Sequence, residues 1–163
     1  GTFLAMGTVF AIANQKGGVG KTTTAVNVAA SIAEAGYETL LVDLDPQCNA
    51  TVGVGLAKDL TPNAYDCLSG ELTVAEAAQP TPFERLYAVP ATPDLAGATV
   101  ELPRISGSET RLREQLGAVR ERFLFTILDC PPSLGPLRTR CSSPFRRSTS
   151  PWRAWRDCST PFH

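Results

Sequence analysis

A glycine-rich segment between an apolar run and an alanine-rich stretch carries the residue types that bind phosphate. It consists of Lys16, Gly17, Gly18, Val19, Gly20, Lys21, Thr22 and Thr23. Glycines let the backbone approach a polyphosphate closely, and the N-terminus of a following helix adds N–H donors and a favourable dipole. At this spacing we expect Lys21 to reach the β- and γ-phosphates and the Thr22 hydroxyl to ligate Mg²⁺. The segment therefore predicts a nucleoside triphosphate site.

One position departs from the usual phosphate-loop pattern. That pattern has a glycine seven residues before the Ser/Thr, where this chain has Gln15, and Lys16 is an additional lysine. The alternative interpretation is a glycine-rich turn without a ligand. The phosphate interpretation is favoured because the loop, the lysine, the threonine and the flanking elements all agree with it.

Three acidic residues follow apolar runs that are typical of buried strands. Asp43 and Asp45 end the run Thr39–Leu44, and Asp129 follows the run Phe123–Leu128. Carboxylates at the carboxyl ends of parallel strands point into the ligand crevice of an open α/β sheet. Such an acid can hold Mg²⁺ through water, and another can orient the attacking water. The alternative is that these acids only end strands in turns.

The order of elements predicts the fold class. Apolar runs at Val9–Asn14, Thr39–Leu44, Leu86–Val89 and Phe123–Leu128 predict strands, and Thr22–Ala35 predicts a buried helix that ends before Gly36. Leu112, Leu116 and Val119 indicate a second helix, and residues 60–82 indicate short helices and turns. Alternating strands and helices predict an α/β domain with a mostly parallel sheet.

Composition fits a globular chain of one domain. Of 163 residues, 43% are hydrophobic and 19% are charged, and no apolar run is long enough to span a membrane. Residues 1–5 precede the only methionine, Met6, and are set aside as upstream residues. Five cysteines at irregular spacing form no metal pattern, and their odd number favours reduced thiols in the cytoplasm.

Charge separates residues 6–136, the predicted α/β domain, from a tail at 137–163. Residues 1–137 carry nine basic and fifteen acidic residues, whereas residues 138–163 carry six arginines and one acid. The tail also holds both tryptophans and three prolines. We expect it to lack regular structure and to result from a frameshift. The alternative is a genuine tail whose arginines and aromatic side chains bind nucleic acid or a membrane surface.

Four segments in order resemble one protein family. KGGVGKTT, LLVDLDPQCNAT, AVPATPDLAGATVEL and FTILDCPPSLG resemble the ParA/Soj-type partitioning ATPases of the deviant Walker A group, which also contains MinD. The resemblance runs from about Val9 to Gly135. It implies the N-terminal half of a P-loop NTPase with a doubly wound, mostly parallel sheet. Family members continue beyond this point, so weak or absent ATP turnover is expected of this chain.

The resemblance also assigns roles to individual residues. It implies that residues 17–23 bind ATP, with Thr23 contacting a phosphate, and that Lys16 reaches across an ATP-dependent homodimer to the partner's nucleotide. It implies that Asp45 positions or activates water. Asp129 is then the acid behind Mg²⁺, and Asp43 supports the metal.

The same resemblance implies partners and a location. Members of the family bind DNA without sequence preference and are stimulated by a ParB-like, centromere-bound protein while segregating a chromosome or plasmid. A cytoplasmic, nucleoid-associated protein without a membrane partner is expected. Two alternatives are a non-catalytic nucleotide-binding fragment and a MinD-like membrane-associated positioning ATPase.

Overall fold

The fold comes from a computed structural model, which describes residues 7–13, 20–101, 108–132 and 153–156. Along the described residues, single strands or strand pairs alternate with groups of one to three helices. The strands are β1 (Thr8–Ala13), β2 (Thr39–Asp43), β3 (Gln79–Pro80), β4 (Leu86–Val89), β5 (Phe125–Asp129) and β6 (Arg153–Arg156). The helices are α1 (Lys21–Glu34), α2 (Asn49–Gly53), α3 (Ala64–Ser69), α4 (Val74–Ala77), α5 (Leu95–Glu101) and α6 (Ser108–Val119).

The strands form one sheet in the order β3-β4-β2-β5-β1-β6. The four central strands β4, β2, β5 and β1 run parallel, whereas β3 and β6 pair antiparallel at the two edges. The predicted α/β fold with a mostly parallel sheet is confirmed. Parallel neighbours bring the carboxyl ends of β1, β2 and β5 to one edge, where the acidic residues lie.

Both faces of the sheet are covered, which explains why β2 is apolar along its length. Leu41 faces a cluster that includes Ala25, Ala29 and Ala33 of α1. Leu40 and Val42 face the opposite cluster, built from α3, α4, α5 and α6. The small alanine side chains let α1 approach the sheet closely. The second cluster also holds three buried cysteines, Cys48, Cys67 and Cys130.

Several element boundaries differ from the sequence predictions. The predicted strand at Phe123–Leu128 begins two residues later, and Phe123 instead lies, fully buried, on the connection from α6 to β5. Helices α2 and α5 were not predicted, because each is short and has no long helical repeat. The prediction of short helices within 60–82 is met by α3 and α4. Each of these begins with a complete capping box, formed by Asn63 with Asp66 and by Thr73 with Glu76.

The predicted tail contains one described strand. No regular structure is expected for residues 137–163, and β6 corrects that expectation for Arg153–Arg156. The outer edge of β1 presents backbone N–H and C=O groups, and a short segment can pair with such an edge without an apolar pattern of its own. The frameshift and the other interpretations of the tail stay predictions, and its remaining residues lie outside the described ranges.

Candidate functional site

The second half of the predicted phosphate loop forms the start of α1. Gly20 is the residue before the helix, and Lys21, Thr22 and Thr23 form its first turn. Lys21 is buried, with only 7% of its surface exposed. The remaining predicted loop residues, Lys16, Gly17, Gly18 and Val19, lie outside the described residues, so their roles stay predictions.

Gly20 gives the helix start a conformation that other residues rarely adopt. Its φ is +78° and its ψ is 23°, in the left-handed region. As a glycine it has no side chain to accept the first N–H groups of α1, and the first turn has no acidic residue. A helix N-terminus with these features favours a bound anion, because its positive dipole end keeps donors for the ligand.

Replacing Gly20 by alanine is expected to destabilise the protein by about 1–2 kcal/mol, the cost of a left-handed side chain. A Cβ at this position would meet no atom within 4 Å, so the penalty is one of backbone conformation alone. The matched control is Gly117→Ala within α6, which also meets nothing within 4 Å. That change is expected to stabilise by about 0.5–1 kcal/mol. Urea unfolding of both variants measures the two changes in the free energy of unfolding, which should have opposite signs. Equal changes would contradict a specific need for glycine at position 20.

The predicted acids meet where neighbouring strands end. Asp43 of β2 lies directly beside Asp129 of β5 in the parallel register. Asp129 also pairs with Ile12 near the end of β1, and its carbonyl oxygen accepts the Leu44 N–H at 3.0 Å. These three strand ends therefore place two carboxylates beside the start of α1.

Asp129 is a buried acid whose carboxylate is not compensated by hydrogen bonds. Its side chain is 1% exposed, and neither oxygen has a hydrogen-bond partner within the described residues. Burial raises the pKa of Asp129 from its ordinary 3.8 to about 6, and repulsion from Asp43 and Asp45 adds to the rise. The Thr22 hydroxyl, which lies near this carboxylate without the geometry of a full hydrogen bond, and the Lys21 charge oppose that rise. The site therefore brings Asp129, Thr22 and Lys21 together.

Asp43 differs from Asp129, because both oxygens of its carboxylate accept hydrogen bonds from nearby residues. One oxygen, Oδ2, accepts the Thr51 N–H at 2.8 Å and the Thr51 hydroxyl at 2.7 Å. The other, Oδ1, accepts the Asp45 N–H at 3.0 Å. Burial raises the pKa of Asp43, and the bonds from Thr51 oppose that rise. These contacts hold the loop after β2, while its predicted role at the metal stays a prediction.

Asp45 lies on the loop between β2 and α2 and is half-buried. Its Oδ1 accepts the Gln47 N–H at 2.9 Å, and its carbonyl oxygen accepts the Cys48 N–H at 2.9 Å. The loop then turns through Cys48, which has a φ of 57°. Asp45 thus sits in a tight turn at the same end of the sheet as Asp129.

Thr51 is a residue of this site that the sequence analysis did not single out. It is 1% exposed and contacts Asp43 through both its N–H and its hydroxyl. Its hydroxyl also accepts the Ala91 N–H at 2.8 Å. A hydroxyl residue eight positions after Asp43 does not by itself predict a contact with that aspartate. The contact forms only because the chain after β2 folds back and brings Thr51 of α2 next to Asp43.

Asp129 and Thr22 fit a magnesium ion that keeps water and phosphate ligands. The unpartnered, buried carboxylate of Asp129 is the kind of group that a hydrated cation satisfies, and Mg²⁺ is commonly bound by one or two protein oxygens together with substrate phosphates. Among the residues that the structure describes, no group of three or more His, Cys, Asp and Glu side chains forms a metal site. One carboxylate and one hydroxyl are the kind of small protein donor set that binds Mg²⁺ together with phosphate oxygens.

Comparison with known proteins places this chain in a family. A family model described as an AAA domain (AAA_31) matches residues 7–141. The chromosome partitioning protein ParA of Myxococcus xanthus is 50% identical over 133 residues, which cover 81% of this chain and 47% of that protein. The chromosome-partitioning ATPase Soj of Treponema pallidum is 48% identical over 132 residues, covering 81% and 51%. The chain thus spans about half the length of these curated relatives.

A solved structure shares the fold and holds ligands. It is the cobyrinic acid a,c-diamide synthase of Mycobacterium smegmatis with bound ADP and magnesium. The TM-score is 0.75 at 41% identity, and the match covers 81% of this chain and 54% of that one. Fold and sequence comparisons agree. The chain belongs to the AAA-domain family of P-loop proteins and corresponds to the N-terminal half of its ParA/Soj-type partitioning ATPases.

Proposed function

We propose that the start of α1 and the carboxyl ends of β2 and β5 bind Mg-ATP. The observation that carries this proposal is the buried Asp129 carboxylate, without a hydrogen-bond partner in the described residues and close to Lys21 and Thr22. Thr22 and Asp129 would hold the magnesium, the latter through water, and Lys21 would contact the phosphates. The M. smegmatis structure with ADP and magnesium supports this assignment.

The same site is proposed to hydrolyse ATP. Asp45 lies on the loop beside the paired strand ends and would orient the attacking water. Magnesium would neutralise charge that develops on the phosphates. Lys16 would supply a further positive charge to the nucleotide of the other subunit in an ATP-dependent homodimer, as an arginine finger does in trans.

ATP hydrolysis is proposed to drive the segregation of DNA, either a chromosome or a plasmid. The printed names of the relatives, a chromosome partitioning protein and a chromosome-partitioning ATPase, support this role. Non-specific DNA and a ParB-like centromere-binding protein are the proposed partners, with a nucleoid-associated location. Of the helices in the described ranges, none combines the length and hydropathy that crossing a bilayer requires.

Replacing Lys16 by glutamine is expected to leave ATP binding within about threefold of the wild type and to abolish turnover. The reason is that Lys16 is proposed to act on the transition-state charge of the neighbouring nucleotide, where one cationic group is worth about 10³-fold or more. Binding of a fluorescent ATP analogue and phosphate release, each with magnesium and with EDTA, check this. Binding without turnover in the unmutated chain would instead identify a non-catalytic nucleotide-binding fragment, and absence of both would contradict the proposed function.

A further inference from the structure

The loop that carries Asp45 is tied to the neighbouring strand by a chain of hydrogen bonds that passes through Thr51. The Asp45 N–H donates to Asp43 Oδ1 at 3.0 Å, and the Thr51 hydroxyl donates to Asp43 Oδ2 at 2.7 Å. The Ala91 N–H, just after β4, donates to the same hydroxyl at 2.8 Å. Each bond in this chain uses a buried or half-buried group.

The Thr51 hydroxyl is used as both donor and acceptor. A hydroxyl has one hydrogen to donate, which goes to Asp43, and it accepts from Ala91 through a lone pair. Both Thr51 and Ala91 are almost completely buried. Without the hydroxyl, the Ala91 N–H would lose its acceptor and Asp43 would lose one of three donors, with water poorly placed to replace them.

The hydrogen bonds of Thr51 join the carboxyl ends of two strands, β2 and β4, at the proposed site. Pro90 lies between the end of β4 and Ala91, and its carbonyl oxygen accepts the Ala64 N–H of α3 at 2.8 Å. Asp43 ends β2 beside Asp129. Thr51 therefore connects the loop that bears Asp45 to the segment that leads from β4 to α5.

We propose that Thr51 is a positioning residue, which fixes the Asp45 turn through the Asp43 carboxylate and ties it to the end of β4. It contacts neither water nor phosphate in this role and acts only through Asp43 and Ala91. The consequence for catalysis rests on the proposed function, whereas the effect on the loop does not. Because the bonds orient Asp45 and not the phosphate loop, they matter for turnover more than for nucleotide affinity.

The test uses a pair of identical substitutions at two buried threonines. Thr51→Val removes the hydroxyl while keeping the shape of the side chain. Thr126→Val in β5 is the matched control, because Thr126 is equally buried and its hydroxyl has no hydrogen-bond partner within the described residues. Thr51→Ser keeps the hydroxyl and is the rescue variant. Should Thr51→Val fail to fold, Thr51→Ala replaces it.

Residue-resolved hydrogen exchange of the nucleotide-free chain is the first readout. In Thr51→Val we expect the Asp45 amide, which does not touch Thr51, to exchange at least tenfold faster relative to the Val89 amide in β4. Thr126→Val and Thr51→Ser should keep the wild-type ratio. An unchanged Asp45 amide in Thr51→Val, or equal acceleration in Thr51→Ser, would overturn the proposal.

Steady-state ATP turnover is the second readout. We expect Thr51→Val to lower kcat at least tenfold while KM changes less than threefold, with wild-type values in Thr51→Ser. A larger change in KM than in kcat would overturn the positioning role. If the wild-type chain shows no turnover, the proposed function fails on its own, and hydrogen exchange at Asp45 still decides whether Thr51 holds the loop.

Discussion

Asp129→Asn is expected to raise the stability of the nucleotide-free protein while removing its response to magnesium. A carboxyl group whose pKa rises from 3.8 to about 6 on folding is harder to ionise in the folded than in the unfolded chain. At neutral pH that difference destabilises the fold by about 3 kcal/mol. The neutral amide avoids this cost, so an increase in Tm of roughly 5–10 °C is expected for a domain of this size.

The pH dependence gives the sign of this effect an independent check. Because the folded pKa is the higher one, the Asp129 contribution to stability is intact below pH 3.8 and is lost as pH rises to about 6. The advantage of Asp129→Asn should therefore grow across that interval and stay constant above it. Thermal unfolding at pH 4, 5, 6 and 7.5 measures it, with Asp59→Asn at an exposed aspartate as the control.

Asp129→Asn is also expected to weaken magnesium-dependent ATP binding. An asparagine cannot supply the negative charge that a hydrated magnesium ion needs, so the enhancement of ATP binding by magnesium should fall at least tenfold. A more stable variant with weaker magnesium-dependent binding is the pattern of a site that trades stability for function. A less stable variant that keeps full magnesium dependence would show that Asp129 is a structural acid.

Lys21→Ala is expected to weaken ATP binding about 10- to 100-fold, the loss of a charged hydrogen bond to phosphate. Lys21 is buried at the first turn of α1, and its charge opposes the rise in the pKa of Asp129. Its removal therefore takes away a phosphate contact and leaves Asp129 less compensated.

The matched control for this change is Lys58→Ala. Lys58 is an exposed lysine on the segment after α2, so it tests whether loss of any positive charge weakens binding. Competition with a fluorescent ATP analogue at two salt concentrations measures both variants. Equal losses in Lys21→Ala and Lys58→Ala would mean that general charge attraction, and not a defined phosphate site, accounts for binding.

The sequence was sufficient to indicate several of the residues that meet at the proposed site, although not Thr51. Glycines followed by Lys21 and Thr22 predict a phosphate loop before α1, and acids after apolar runs predict carboxylates at strand ends. Both expectations depend on local spacing and on the rule that parallel strands share an edge. The structure accordingly places Asp43 beside Asp129 and brings Thr22 near it.

The sequence was not sufficient to predict that Asp43 and Asp129 differ in their hydrogen bonding. Asp43 and Asp129 occupy equivalent positions in neighbouring strands, yet one carboxylate accepts three hydrogen bonds and the other has none within the described residues. That difference arises when the loop after β2 closes and brings Thr51 back onto Asp43. No local pattern encodes which donors meet across such a loop, and the same holds for the pairing of β6 with β1.

The most direct test of the account is calorimetric titration of the chain with a non-hydrolysable ATP analogue, with magnesium and then with EDTA. We expect saturable binding at one site per chain, at least tenfold tighter with magnesium, and loss of that difference in Asp129→Asn. Absence of binding at millimolar analogue, or binding that is indifferent to magnesium, would contradict a Mg-ATP site formed by α1 and the ends of β2 and β5.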